Sequence, residues 1–224
     1  MSIKKIVLFV LIFFYTICNA QSLQDGLGNE YTIKNNEISK KEGNRIFKYK
    51  NIVLGNITRI DIVNPLQTLV YYKNQNVVVI LDKYLSEINT LKLQFLFPEI
   101  QNSYAGLANQ NQIWLYDLNS KRIILYSILN ENLRYITPNI NEEICWIESN
   151  LNYLLFLTED QELFEVDTYG KVNLIESFNQ KISIKTDHKK LKILDNQGEI
   201  ILKEYKIKNG KIERKPKNSD SNNE

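Results

Sequence analysis

The sequence holds one histidine, two cysteines and three alanines (Ala20, Ala105 and Ala108) among 224 residues, and these shortages exclude several functions. Beyond residue 20 only His188 and Cys145 remain to serve a His/Cys metal centre, which needs at least three such ligands. A serine triad needs an imidazole oriented by a carboxylate, and Asp187, adjacent to His188 in the chain, is badly placed for that relay. Gly26 and Gly28 precede a strand pattern with no helix behind it, so no phosphate-cradling loop is present. The carboxylate pairs Glu142-Glu143 and Glu159-Asp160 fall in strands and turns, where adjacent side chains diverge. No catalytic, cofactor-binding or metal-ligating residue is therefore nominated, and no cofactor is expected. Scarce alanine beside abundant isoleucine and aromatics argues against a helical fold and for β structure.

Net charge is the last shortage. Lys plus Arg number 28 and Asp plus Glu 26; without Lys4 and Lys5 the balance is 26 against 26. A general polyanion binder carries a strong basic excess, so nucleic acid is not an expected partner.

Lys4 and Lys5 open a leader-like segment. Residues 6–17 are uncharged, and Cys18, Asn19 and Ala20 supply small or polar groups at a cleavage position. This layout predicts a signal peptide over residues 1–20, cut near Ala20, since the apolar run is shorter than the roughly twenty residues that span a bilayer. The expected location is exported, periplasmic or associated with the outer envelope, and at most peripheral to a membrane. Cys145 is then alone, which excludes an intramolecular disulfide, and its neighbours Ile144, Trp146 and Ile147 predict a buried, inert thiol.

The chain between is repetitive. A strand, a polar turn, a second strand, an Asp-led turn and a third strand recur along it. Residues 69–72 lead through 73–76 to 77–81 and Asp82. The same order runs through 106–116 to Asp117, through 153–166 to Asp167, and through 182–194 to Asp195, with a fainter copy over 31–47. Asx side chains bond their own backbone two residues on, so Asp82, Asp117, Asp167 and Asp195 read as structural turn formers. Each stands alone, 28 to 50 residues from the next, without the dense acidic loop of a calcium site. Further strands fill some copies to four, and Pro98 and Pro138 sit between copies, where proline breaks no ladder. About seventeen or eighteen strands are legible. Trp114 and Trp146, inside apolar runs, are expected to pack between units.

Hairpins that close on Ile80-Leu81-Asp82, Leu115-Tyr116-Asp117, Glu165-Val166-Asp167 and Ile193-Leu194-Asp195 resemble exported bacterial β-propeller-type repeat proteins, over residues 31–207. The WD dipeptide, the kelch double glycine and a lectin-type carbohydrate signature are all missing. The resemblance implies a fold and carries no catalytic residue with it.

The expected architecture is all-β, a β-propeller-like array of four to five antiparallel sheets over residues 21–208, with a disordered polar tail over 209–224. Central strands such as 77–81 are apolar on both faces, whereas in the last repeat apolar and polar residues alternate strictly. A wet outer face suits the cap of an incomplete ring or open stack. That repeat is rich in lysine, and Lys185, Lys192 and Lys203 are the candidate face for an acidic partner; the plain alternative is a charged surface that guards against strand pairing. The function expected is a non-catalytic scaffold that binds another envelope protein. A propeller binding a small ligand or glycan, and a propeller lyase or hydrolase, stand as alternatives.

Overall fold

A computed structural model describes residues 21–186, 190–208 and 211–213. The expected signal peptide, His188 with its neighbours Asp187 and Lys189, the turn at 209–210 and the tail from 214 lie outside the described residues.

Among the described residues twenty strands form five antiparallel sheets, each built from four consecutive strands. Blade 1 contains β1 (Gln21–Gln24), β2 (Glu30–Lys34), β3 (Glu37–Glu42) and β4 (Arg45–Lys50). Blade 2 contains β5 (Arg59–Asp61), β6 (Gln67–Tyr72), β7 (Val77–Asp82) and β8 (Glu87–Lys92), followed by a one-turn helix, α1 (Leu93–Leu96). Blade 3 contains β9 (Asn102–Ala108), β10 (Gln112–Asp117), β11 (Arg122–Ser127) and β12 (Asn132–Tyr135). Blade 4 contains β13 (Ile144–Ser149), β14 (Tyr153–Thr158), β15 (Glu162–Asp167) and β16 (Val172–Ser177). Blade 5 contains β17 (Ile182–Thr186), β18 (Lys190–Asp195), β19 (Ile201–Lys208) and β20 (Lys211–Glu213). The sheets stand in a ring, and the chain is a five-bladed β-propeller. The short β20 falls inside the segment expected to be an unstructured tail, and β1 adds a strand that its polar sequence conceals.

Turn chemistry sets the hairpins. Asn35 and Asn36 (φ 52° and 59°) and Gln110 and Asn111 (φ 58° and 56°) take positive φ at both central positions, which matches the twist of the strands that they join. In the Asp-led turns the carboxylate replaces missing backbone partners. Asp82 accepts from the amides of Tyr84 and Ser86 at 2.8 and 2.9 Å, and Asp167 from those of Tyr169 and Lys171, both at 2.9 Å. Asp117 accepts from Asn119 at 3.1 Å and from Gln101 at 3.0 Å, tying its turn to the entry of β9. Asp195 accepts from Glu199 at 2.8 Å, and such amide bonds hold its carboxyl below the ordinary aspartate pKa.

Side chains on a strand alternate between faces, and here that alternation decides which blades touch. On β6, Val70 and Tyr72 pack towards blade 1 while Leu69 and Tyr71 pack towards blade 3. On β10, Ile113 and Leu115 meet blade 2 while Trp114 and Tyr116 meet blade 4. On β14, Leu154 and Phe156 meet blade 3 while Tyr153, Leu155 and Leu157 meet blade 5. Four apolar cores thus join blades 1–2, 2–3, 3–4 and 4–5. In blades 1 and 5 one face packs into an apolar core and the other is mostly polar, with Ile46 exposed on that face of blade 1 and Leu194 buried on that face of blade 5. Their other faces hold Thr32, Ser39 and Lys48 in one register row, and Lys185, Lys192 and Glu204 in another. Among the described residues no apolar core joins blade 5 to blade 1, and no strand crosses from one to complete the other. Lys40 shows how closely blades 1 and 2 fit: wholly buried, it donates to the Lys83 carbonyl at 2.9 Å and lies 5.5 Å from the Tyr31 ring.

Cys145 departs from expectation. It lies in β13, but at an irregularity where the register skips from Ile144 to Trp146, so its side chain leaves the alternation and is exposed. Its Sγ stands 3.4 Å from the carbonyls of Leu157 and Thr158. Partial burial pushes the thiol pKa up, helped by Glu159.

Two outcomes test this packing. Trp114→Ala removes a fully buried indole whose Nε1 donates to the Asn150 carbonyl at 2.9 Å, and should cost about 3–5 kcal/mol in urea denaturation, while Tyr169→Ala, at an 88% exposed position, should change stability by less than about 0.5 kcal/mol. Asp195 has a native pKa below its unfolded one, so its stabilisation is present above the unfolded value and lost as pH falls through the native one. Asp195→Asn should therefore flatten the loss of thermal stability at acid pH.

Candidate binding cavity

The first strand of each blade lies towards the ring axis, and polar residues from β5, β9 and β13 meet there. Arg59 of β5 forms a bidentate ion pair with Glu148 of β13, reaching past blade 3; Nη1 donates to Oε2 at 3.1 Å and Nη2 donates to Oε1. Its guanidinium carbon sits 4.8 Å from the centre of the Tyr104 ring. Tyr104 donates to Ser149 Oγ at 2.8 Å, Ser149 donates to Asp61 Oδ2 at 3.3 Å, and that same oxygen accepts from the Leu107 amide at 2.8 Å. Asp61 Oδ1 accepts from the Val63 amide at 2.9 Å. Blades 2, 3 and 4 are thereby braced by one network with satisfied carboxylates.

Gly106 makes the network fit. A Cβ there would overlap Ser149 Oγ and stand 2.9 Å from the Tyr104 hydroxyl and 3.1 Å from Asp61 Oδ2. The crowding has electrostatic effects. Burial raises the Tyr104 pKa above the ordinary phenol value. Burial opposes the Arg59 charge, but Tyr104, Glu148 and Asp61 outweigh it and the guanidinium pKa is raised. For Glu148, burial outweighs the opposing pull of Arg59, and its carboxyl stands above the ordinary range. The pair keeps one side wet, with 23% and 30% of the two side chains accessible.

That wet side faces a cavity of about 1160 Å³. Leu23 and Ile33 of blade 1, Ile57 before β5, Leu155 of blade 4 and Ile207 of blade 5 give it apolar walls, and Arg59, Asp61 and Glu148 give it a polar side. Apolar walls with a few convergent polar groups are the usual make-up of a ligand site. A smaller depression of about 400 Å³, between blades 2 and 3, includes Asn76, Ile100 and Asn102.

Asp82, Asp117, Asp167 and Asp195 sit at the outer hairpin turns, away from the cavity, with oxygens occupied by backbone amides. Lys185 and Lys192 are cross-strand partners on the outer face of blade 5. Lys203 lies on the opposite face and pairs with Glu176 of β16 at 2.6 Å, so the structure brings two of the three lysines together. Sequence reasoning missed Arg59, Asp61, Tyr104, Glu148 and Ser149. One signal was available: in 57–62, polar Thr58 and charged Arg59 and Asp61 interrupt a run of isoleucines, as on a strand that faces both core and solvent. Among the described residues no group of three or more His, Cys, Asp or Glu side chains is arranged to hold a metal ion, and no helix is long and apolar enough to cross a membrane.

Gly106→Ala should disrupt the brace and cost about 3 kcal/mol in chemical denaturation, while Gly106→Ala/Ser149→Ala should recover part of that loss by removing the overlapping oxygen. Equal destabilisation by the single and double variants would contradict the steric account.

No protein-family model and no curated protein matches the sequence. Among solved structures the fold is similar to a streptogramin B lyase (TM-score 0.53, 17% identity, 83% of this chain and 67% of that one). It is also similar to virginiamycin B lyase from Staphylococcus aureus (TM-score 0.51, 12% identity, 78% and 61%) and to Hsv2 of Kluyvelomyces marxianus (TM-score 0.50, 10% identity, 83% and 60%). The chain spans about three fifths of the length of the S. aureus lyase. At these identities the likeness is one of fold, and the fold shared is the β-propeller.

Proposed function

We propose that the chain is an exported, non-catalytic scaffold that binds another protein of the cell envelope. The observation that carries this reading is the unsealed step of the ring. Among the described residues four interfaces between blades are closed by apolar cores, whereas no apolar core joins blade 5 to blade 1, beside a cavity of about 1160 Å³. A rigid ring with one open step offers a partner a concave surface that needs little reordering on binding. The carboxylates of the central network are spent on Arg59, on Ser149 and on backbone amides, an arrangement that suits bracing. Export rests on Lys4, Lys5 and the uncharged run over 6–17.

A second reading has its own observation. The cavity is large enough for a small molecule or a glycan unit, with Arg59 and Glu148 to fix its orientation.

Photo-crosslinking in intact cells separates the two. A benzoylphenylalanine at Thr58, which lines the cavity, should trap one defined protein, and the same probe at Tyr169, on the far side of blade 4, should not. The scaffold reading fails if neither position yields an adduct, or if both yield the same mixture. Glycan-array binding that Leu155→Arg abolishes would favour the second reading instead.

A further inference from the structure

The outer face of blade 5 carries an arrangement that folding does not reward. Lys185 of β17 stands directly opposite Lys192 of β18, and Lys190 of β18 directly opposite Lys206 of β19. Like charges in directly opposed cross-strand positions destabilise a sheet. Two glutamates stand beside them: Glu204, 2.8 Å from Lys190 and directly opposite Lys192, and Glu213, directly opposite Lys206. Blade 1 arranges its outer face differently. There Lys41 stands opposite Glu30, Lys50 opposite Glu37, and Lys48 opposite Ser39 while pairing with Glu37 at 2.8 Å. Solubility of an uncovered sheet is thus attainable without opposed lysines. Defence of an edge covers Lys185, on the edge strand β17, but not Lys190, Lys192 and Lys206, since β18 and β19 are interior strands of the order β17-β18-β19-β20.

The two faces look into the same unsealed step. On the residues named, blade 5 contributes four lysines against two glutamates, and blade 1 three lysines against two. Both are positive in a chain whose formal net charge is only +2. A second copy of this chain would bring like charge to like and is disfavoured as the occupant.

We infer that the step between blades 5 and 1 is a docking site for an acidic polypeptide segment, rich in Asp and Glu, held between the two lysine-bearing faces. This rests on the scaffold reading and names the chemistry of the partner. The bound carboxylates relieve the opposed pairs, so the lysine arrangement lowers the stability of the free protein and raises affinity for the segment.

Lys185→Glu separates the two effects. It turns one opposed like-charge pair into an opposite-charge pair, and should raise the melting temperature by about 1–4 °C. A fluorescent oligoglutamate, titrated at low salt, should bind the full chain and lose affinity as salt rises. Lys185→Glu/Lys192→Glu on blade 5 and Lys50→Glu on blade 1 should each weaken that binding at least tenfold, while Lys171→Glu, at the exposed β15–β16 turn, should leave it within twofold. Absence of oligoglutamate binding, equal weakening by Lys171→Glu, or no effect of Lys50→Glu would overturn the site. So would tighter binding of polyphosphate than of oligoglutamate, which would identify a general anion surface. If the crosslink from Thr58 persists while oligoglutamate fails to bind, the acidic-segment site falls and the scaffold reading stands; loss of both removes the two together.

Discussion

The alternation of side chains along a strand, one residue to each face, governs this molecule. Where both sets are apolar, as on β6, β7, β10 and β14, a blade is held from both sides and becomes an interior member of the ring. Where one set is apolar and the other polar, as on β2 and β17, the blade is terminal. Each of the four cores belongs to two blades at once. Which blades share a core follows from which residues fall on even and odd positions.

The central network adds direction to that stack. Arg59 and Glu148 come from blades 2 and 4, and their ion pair spans blade 3 over Gly106, where any larger residue would collide. A half-wet ion pair contributes little by itself. Its value lies in geometry, because its neighbours Tyr104, Ser149 and Asp61 each have a defined partner and fix the angle at which three inner strands converge. The cavity lies against the wet side of that brace, with Arg59, Asp61 and Glu148 in its lining.

Much of the fold was legible because its signals are local. The Asp-led turns bond amides two to four residues away, so Asp82, Asp167 and Asp195 announce hairpins within a short window. The strict alternation in 181–185 and 191–193 marked a terminal blade before any contact was known, and the expected range of four to five sheets contained the observed five. What escaped was non-local or irregular. Arg59 and Glu148 are 89 positions apart and nothing near either foretells the other. Cys145 sits among apolar neighbours, yet a single register skip turns it outward. The lysine pairs required the register itself: composition places Lys203 beside Lys185 and Lys192, and only the ladder shows that it faces Glu176 on the other side.

Lysine reactivity read by mass spectrometry tests the open ring most directly. Brief acetylation of the native protein should modify Lys185 of blade 5 and Lys48 and Lys50 of blade 1 at rates close to those of the unfolded chain, while Lys40, buried between blades 1 and 2, stays protected until unfolding. Protection of Lys185, Lys48 and Lys50 comparable to that of Lys40 would mean that blades 5 and 1 are packed together, and would contradict a ring that is open between them.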